Sequence, residues 1–241
     1  MIEKIPVYIS IIFGLTTVAT LLLFFRTMKR SVTEATRNKA LVIIGVVSLW
    51  LVIQCIIAIK NVYSTNAGSF PPKILLLGIL PPMLAIVFAF ATTKGRRFID
   101  SLPLKDITYT NAVRVPVELV LYSLYIFKAV PQILTFEGRN FDILSGITAP
   151  FIAYFGFTKQ KLSKPIILGW NFVCLALLAN IVANALLSAP LAFQQFGFDQ
   201  PNIAILHFPI SWLPTFVVPV VLFGHLVSIR QLIKPLTVQP K

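Results

Sequence analysis

Charge is what this chain has least of. Lys, Arg, Asp and Glu make up 12% of its 241 residues, about half the share that covers an ordinary soluble domain. Acidic side chains are scarcest, eight against 21 Lys and Arg, and there are two His and two Cys. Two cysteines cannot build a disulfide framework or a thiolate zinc site. His207 and His225 are 18 positions apart, about 27 Å on one helix, too far to share a metal or a haem iron. HExxH, Walker and GxSxG sequences are missing, which removes zincin, P-loop and hydrolase-elbow chemistry. Neither a metal nor a cofactor is expected.

What fills the chain is hydrocarbon: 57% of it is hydrophobic. Seven apolar runs can be drawn, at 7–25, 40–59, 74–93, 115–134, 143–157, 166–188 and 205–228. Most approach the ~20 residues that cross a bilayer core as a helix. They do not alternate, so barrel strands are excluded. The fold class expected is all-α, one polytopic bundle of seven transmembrane helices over residues 1–241.

The excess of positive charge, +13, is unevenly placed. Sixteen basic residues fall in every second gap, at 26–39, 94–114, 159–164 and 230–241; the intervening gaps hold only Lys4, Lys60, Lys73 and Arg139. Short basic loops stay in the cytoplasm. The N-terminus is therefore expected outside and the C-terminus inside, in the cytoplasmic membrane. That pattern makes the lipid bilayer the partner of the basic face and argues against nucleic acid.

Proline sits inside spans three, five and seven, at Pro81–Pro82, Pro150, and Pro209, Pro214 and Pro219. Each removes a helical donor, and the freed carbonyls need protein neighbours in lipid. Residues 97–111 are expected to lie along the inner interface. The aromatic outer loop at 189–204 is expected to fold back as a cap.

Two side chains charged at neutral pH fall within a span, Glu118 and Lys128, both in the fourth. Lys128 is read as snorkelling. Glu118, Tyr122, Tyr125 and Gln132 recur at helical spacing and form one polar stripe, with Arg114 a turn earlier, able to pair with Glu118. Depth counting puts Arg114, Glu118, Asn171 and His225 in one inner layer. A second group, Glu137, Arg139, Asn140, Asp142, Gln194, Gln195, Asp199, Asn202 and His207, is assigned to the outer side. Each group has two readings: a ligand or proton site, or polar residues satisfied within the packing. Asn180 and Asn184, among Ala176, Ala179 and Ala183, form a small-residue face suited to close helix contact.

Pro131–Gln132 resembles the proline–glutamine pair of the PQ-loop and SWEET sugar transporters, which also have seven helices. The pair occurs once here instead of in each half, and no residue of that family is carried over. Span seven holds no lysine, which excludes a retinal Schiff base where microbial rhodopsins carry theirs. The function expected is binding or transport of a small solute or ion along span four. A structural subunit docking a partner membrane helix, and an intramembrane lipid-modifying enzyme, are the alternatives.

Overall fold

The computed structural model describes residues 5–234; Lys4 and Lys241 of the charge pattern lie outside them. The described residues are all-helical, with no strand. Helices α1 (Val7–Lys29) and α2 (Glu34–Ile59) form a first hairpin. A π-helical turn, Leu75–Ile79, leads into α3 (Leu80–Ala91), followed by α4 (Thr93–Ser101), α5 (Leu104–Thr110) and α6 (Arg114–Ile126). Then come α7 (Ile143–Ile152), α8 (Lys164–Leu187) and α9 (Val218–Ile233), the last entered through a second π turn, Leu213–Val217.

Four of these helices are long and apolar enough to cross a membrane: Val7–Lys29, Glu34–Ile59, Lys164–Leu187 and Leu213–Ile233. Their outer faces carry bare hydrocarbon, such as Val7, Leu15, Val42 and Val46. Of the seven expected spans, four are of this kind; the third and fourth depart from their expected course, and the fifth is short, as its run at 143–157 implies.

The third is bent. Leu75–Ala91 and Thr93–Ser101 meet at 93°, and α4 then lies across one end of the bundle with Ile99 buried.

The fourth is displaced. Residues 104–113 continue without a break into α6 through a short 3-10 turn, Asn111–Val113. The helical run at 104–126 is about 35 Å long. Its first half looks too polar for a core, yet Thr108 and Thr110 donate their hydroxyls to the carbonyls of Leu104 and Asp106 one turn back. Satisfied in this way, they pack as apolar residues. The run stops at Ile126 because Lys128 takes a left-handed conformation (φ 58°). The amides of Lys128 and Ala129 then close on the carbonyls of Tyr125 and Leu124 in a Schellman cap. Lys128 is therefore a helix terminator, exposed beyond the last turn.

The fifth is short: α7 with the π-helical stretch Ala153–Thr158 covers 16 residues of the structure. It begins halfway along α5–α6, because its first turns pack beside Asn111–Val113 and its π-helical end beside α5. Gly146 permits that approach, since a Cβ there would lie 2.8 Å from Val115 Cγ2 and 2.9 Å from its backbone nitrogen.

Helices α5 and α6 are the centre of the bundle. α5 is flanked by α1, α7 and α9, and α6 by α1 and α7. Basic segments gather at one end. Arg26 and Arg30 both reach Asp106 at 3.2 Å, Ser31 bonds Ser101, and Arg230 reaches Asp100 at 3.0 Å. At the opposite end three loops interlock. Tyr63 and Ile74 pack with Ala189, Leu191 and Leu206, while Gln200 Nε2 donates to the carbonyls of Tyr125 and Val130. The segment at 189–204 folds back over this end as a cap, held by Leu191, Gln200 and Asn202, whereas of its aromatics Phe193 packs inward and Phe196 and Phe198 are exposed.

Candidate buried polar site

Two of the proline breaks are met by side chains from one helix. Pro81 leaves the carbonyl of Leu77 without its helical donor, and Gln54 Nε2 donates to it at 3.1 Å. Pro219 does the same to Thr215, whose carbonyl accepts Trp50 Nε1–H at 3.0 Å. Trp50 and Gln54 are one turn apart on α2, so a single face of that helix serves both breaks. The two π turns cross where Gly78 has no side chain; a Cβ would meet Thr215 Cγ2 at 2.8 Å.

Beside this crossing lies the polar centre. Arg114 comes from the start of α6, Glu118 from one turn later, and Asn140 and Asp142 from the segment that re-enters the bundle before α7. All four are buried, Glu118 to 1% and Asn140 to 0% exposure. Asn140 organises the group. Its Nδ2 donates to Glu118 Oε1 at 2.6 Å and to the carbonyl of Leu134 at 3.0 Å. Its Oδ1 accepts the amide of Asp142 at 3.0 Å. Non-helical backbone at such depth is tolerated only inside protein, and Asn140 is the side chain that satisfies it here.

Arg114 pairs with Asp142, Nη1 to Oδ1 at 2.9 Å, an ion contact off the hydrogen-bond axis. It does not bridge to Glu118; that expected pair is corrected, because α7 brings an aspartate beside the guanidinium. The same Nη1 donates to the carbonyl of Cys174 at 3.4 Å.

The expected inner layer assembles in two parts. Asn171 Nδ2 donates to the carbonyl of Ile167 at 2.9 Å, which directs its Oδ1 to His225 Nδ1, also at 2.9 Å. The proton of that ring is therefore assigned to Nδ1. Arg114 touches α8 one turn from Asn171, whereas Glu118 turns to Asn140. Counting from residue 115 placed Arg114 at the inner boundary. With the helix starting at Leu104, it sits roughly 15 Å deeper.

The expected outer group does not form one site. Asp142 leaves it for Arg114. Glu137 accepts from Tyr122 Oη at 3.2 Å on an exposed surface. Arg139 contributes its backbone carbonyl to Asn180, and Asp199 is exposed in the cap. His207 is half-buried beside Pro209 and Ile210. The polar stripe is likewise shorter than expected: Tyr122 and Tyr125 are half-buried, and Gln132 is exposed in a 3-10 turn past the helix end. No cluster of three or more His, Cys, Asp or Glu with metal-holding geometry occurs among the described residues.

A cavity of about 290 Å³ opens against the polar centre. Its walls are apolar side chains of α3, α6, α8 and α9, among them Met83, Leu121, Leu178 and Val218. Glu118 and Asp142 line it at one place, and Asn202 of the cap lines it as well. Arg114 is not among the lining residues. The sequence assigns Asn202 to the outer polar group; the structure sets it in the cap against this cavity. Its amide nitrogen donates to the carbonyl of Ala185 at 3.1 Å, and its backbone N–H to that of Ser188 at 2.8 Å.

Residues 71–233 match the family described as a domain of unknown function, DUF8737. The chain belongs to that family. No curated protein and no solved structure matches it. The DUF8737 region takes in α3 to α9 and every residue of the buried centre; α1 and α2, including Trp50 and Gln54, precede it.

Proposed function

We propose that this protein is a solute-binding transporter of the cytoplasmic membrane, with Glu118 as the point of contact for its solute. The observation that carries the reading is the cavity at Glu118: a carboxylate, buried to 1%, lining with Asp142 and Asn202 a space otherwise walled by hydrocarbon. Ionisable groups at that depth are costly and are commonest on ligand or proton paths. In this reading the chain crosses the bilayer seven times, four times as full-length helices and three times as the bent, displaced and short segments. The basic end faces the cytoplasm, where Arg26, Arg30 and Arg230 meet anionic headgroups. The crossed π turns at Gly78 and Thr215 supply the discontinuity that moving helices need.

The test is uptake into proteoliposomes of a panel of labelled organic cations, amino acids and sugars. Wild type should accumulate at least one of them, and folded Glu118→Gln should not. Equal uptake by both proteins would remove the reading. A partner-subunit role has one observation in its favour, since Ala176, Ala179 and Ala183 lie exposed on α8. Isolation as an obligate complex lost on Ala176→Leu would support it.

A further inference from the structure

We infer that the cavity at Glu118 takes a lipophilic ammonium ion: one N–H-bearing cationic group on a hydrocarbon body. The inference rests on the binding reading above and specifies its ligand class.

The cavity presents acceptors without donors. Glu118 Oε1 is engaged by Asn140, whereas Oε2 has no hydrogen-bond partner among the described residues. Asn202 has its amide nitrogen committed to Ala185, which fixes the flip of the side chain. Its Oδ1 is left buried and unpartnered among the described residues, with the residue at 0% exposure. Buried acceptors of this kind are destabilising until a donor meets them. The donors of Arg114 do not line the space. An anion or a zwitterion would therefore find no counterpart there, and an N–H donor finds two.

Charge points the same way. With both carboxylates ionised, the buried centre holds Glu118 and Asp142 against one guanidinium. Arg114 lies against Asp142, which leaves Glu118 uncompensated. An ionised carboxylate in a dry interior requires a cation or a proton, and a ligand ammonium supplies the cation together with the missing donor. Hydrocarbon walls from Val117, Leu121, Leu175 and Leu222 exclude a strongly hydrated ion. They accept an alkyl or aryl body instead, whose burial is favourable in proportion to the apolar area removed from water.

The experiment measures binding of radiolabelled decylamine and decanol to the full-length protein in zwitterionic-lipid nanodiscs, with protein-free nanodiscs subtracted. Wild type should bind decylamine saturably at pH 7 and decanol at least tenfold more weakly. Glu118→Gln should lower decylamine affinity at least tenfold, with its size-exclusion profile and melting temperature showing it folded. Ala179→Phe, which fills the cavity from an exposed position without touching the polar centre, should abolish binding. Equal binding of amine and alcohol, or decylamine binding unchanged by both substitutions, overturns the inference. If decylamine binds in this pattern but no panel solute is taken up, the ligand class stands and transport falls. If Glu118-dependent uptake is found only for neutral or anionic solutes, transport stands and the ammonium assignment falls.

Discussion

Gln54 on α2 donates a hydrogen bond to the carbonyl of Leu77, the group that Pro81 deprives of its helical partner. The phenol of Tyr63 bonds the other end of the same amide. A buried glutamine in an apolar helix is thus explained by a proline more than twenty positions away. An unsatisfied carbonyl in this setting costs about 1–3 kcal/mol. Gln54→Leu is expected to lower the melting temperature in detergent measurably, and Trp50→Phe to do the same through Thr215. Gln54→Leu made together with Pro81→Ala should recover part of the loss, because alanine restores the helical donor.

Arg114 and Asp142 form a buried pair at 2.9 Å. Removing one member strands the other, at a cost of roughly 3–5 kcal/mol, whereas replacing both by apolar residues is often near neutral. Arg114→Met and Asp142→Leu should each reduce the yield of folded protein sharply. The double variant should be more stable than either single one. Melting temperatures in matched detergent complete the cycle, and additive losses would contradict the pairing.

Asn140 bonds Glu118, the carbonyl of Leu134 and the amide of Asp142. Asn140→Asp keeps the size, removes the donors and sets a carboxylate against Glu118. It should destabilise more than Asn140→Ala, with both measured by thermal melting. The reverse order would mean that Glu118 does not lie against this side chain.

Asp100 joins α4 to the end of α9 through Arg230 and Lys234. Partial burial pushes its carboxyl upward, but the two cations outweigh that and hold it below the usual carboxylate range. A depressed carboxylate stabilises above its unfolded pKa, near 4, and the contribution disappears as pH falls through the lower folded value. Hydrogen exchange at Ile99 and Leu102 should therefore quicken as pH drops from about 4 toward 2, after correction for intrinsic rates. In Asp100→Asn the exchange should already be fast at neutral pH and lack that acid step.

Much of this was legible in the sequence. The alternation of basic gaps corresponds to one basic end, the prolines to breaks requiring outside donors, and Asn171 with His225 to a contact. The errors share a cause. Hydropathy marks where apolar residues run, and not where a helix begins or stops. Thr108 and Thr110 hide their polarity by bonding backward, so the fourth helix starts earlier than its apolar run. Lys128 in a left-handed conformation ends it before Ala129 and Val130, which still read as span. Sliding that helix by ten residues moved Arg114 inward. The start of α7 at Ile143, as expected in sequence but halfway along α5–α6 in the bundle, carried Asp142 from the outer group to its side. Asn140 was visible only as a member of the outer polar group, because nothing in its neighbours signals that the loop re-enters the bundle.

The most direct test places a cysteine at the cavity. In a background with Cys55 and Cys174 replaced by alanine, Ala179→Cys is labelled by a membrane-permeant maleimide in nanodiscs, with and without decylamine. Decylamine should slow the labelling at least fivefold when Glu118 is present and leave it unchanged when Glu118→Gln is added. Labelling that ignores decylamine in both proteins would contradict a ligand site at Glu118.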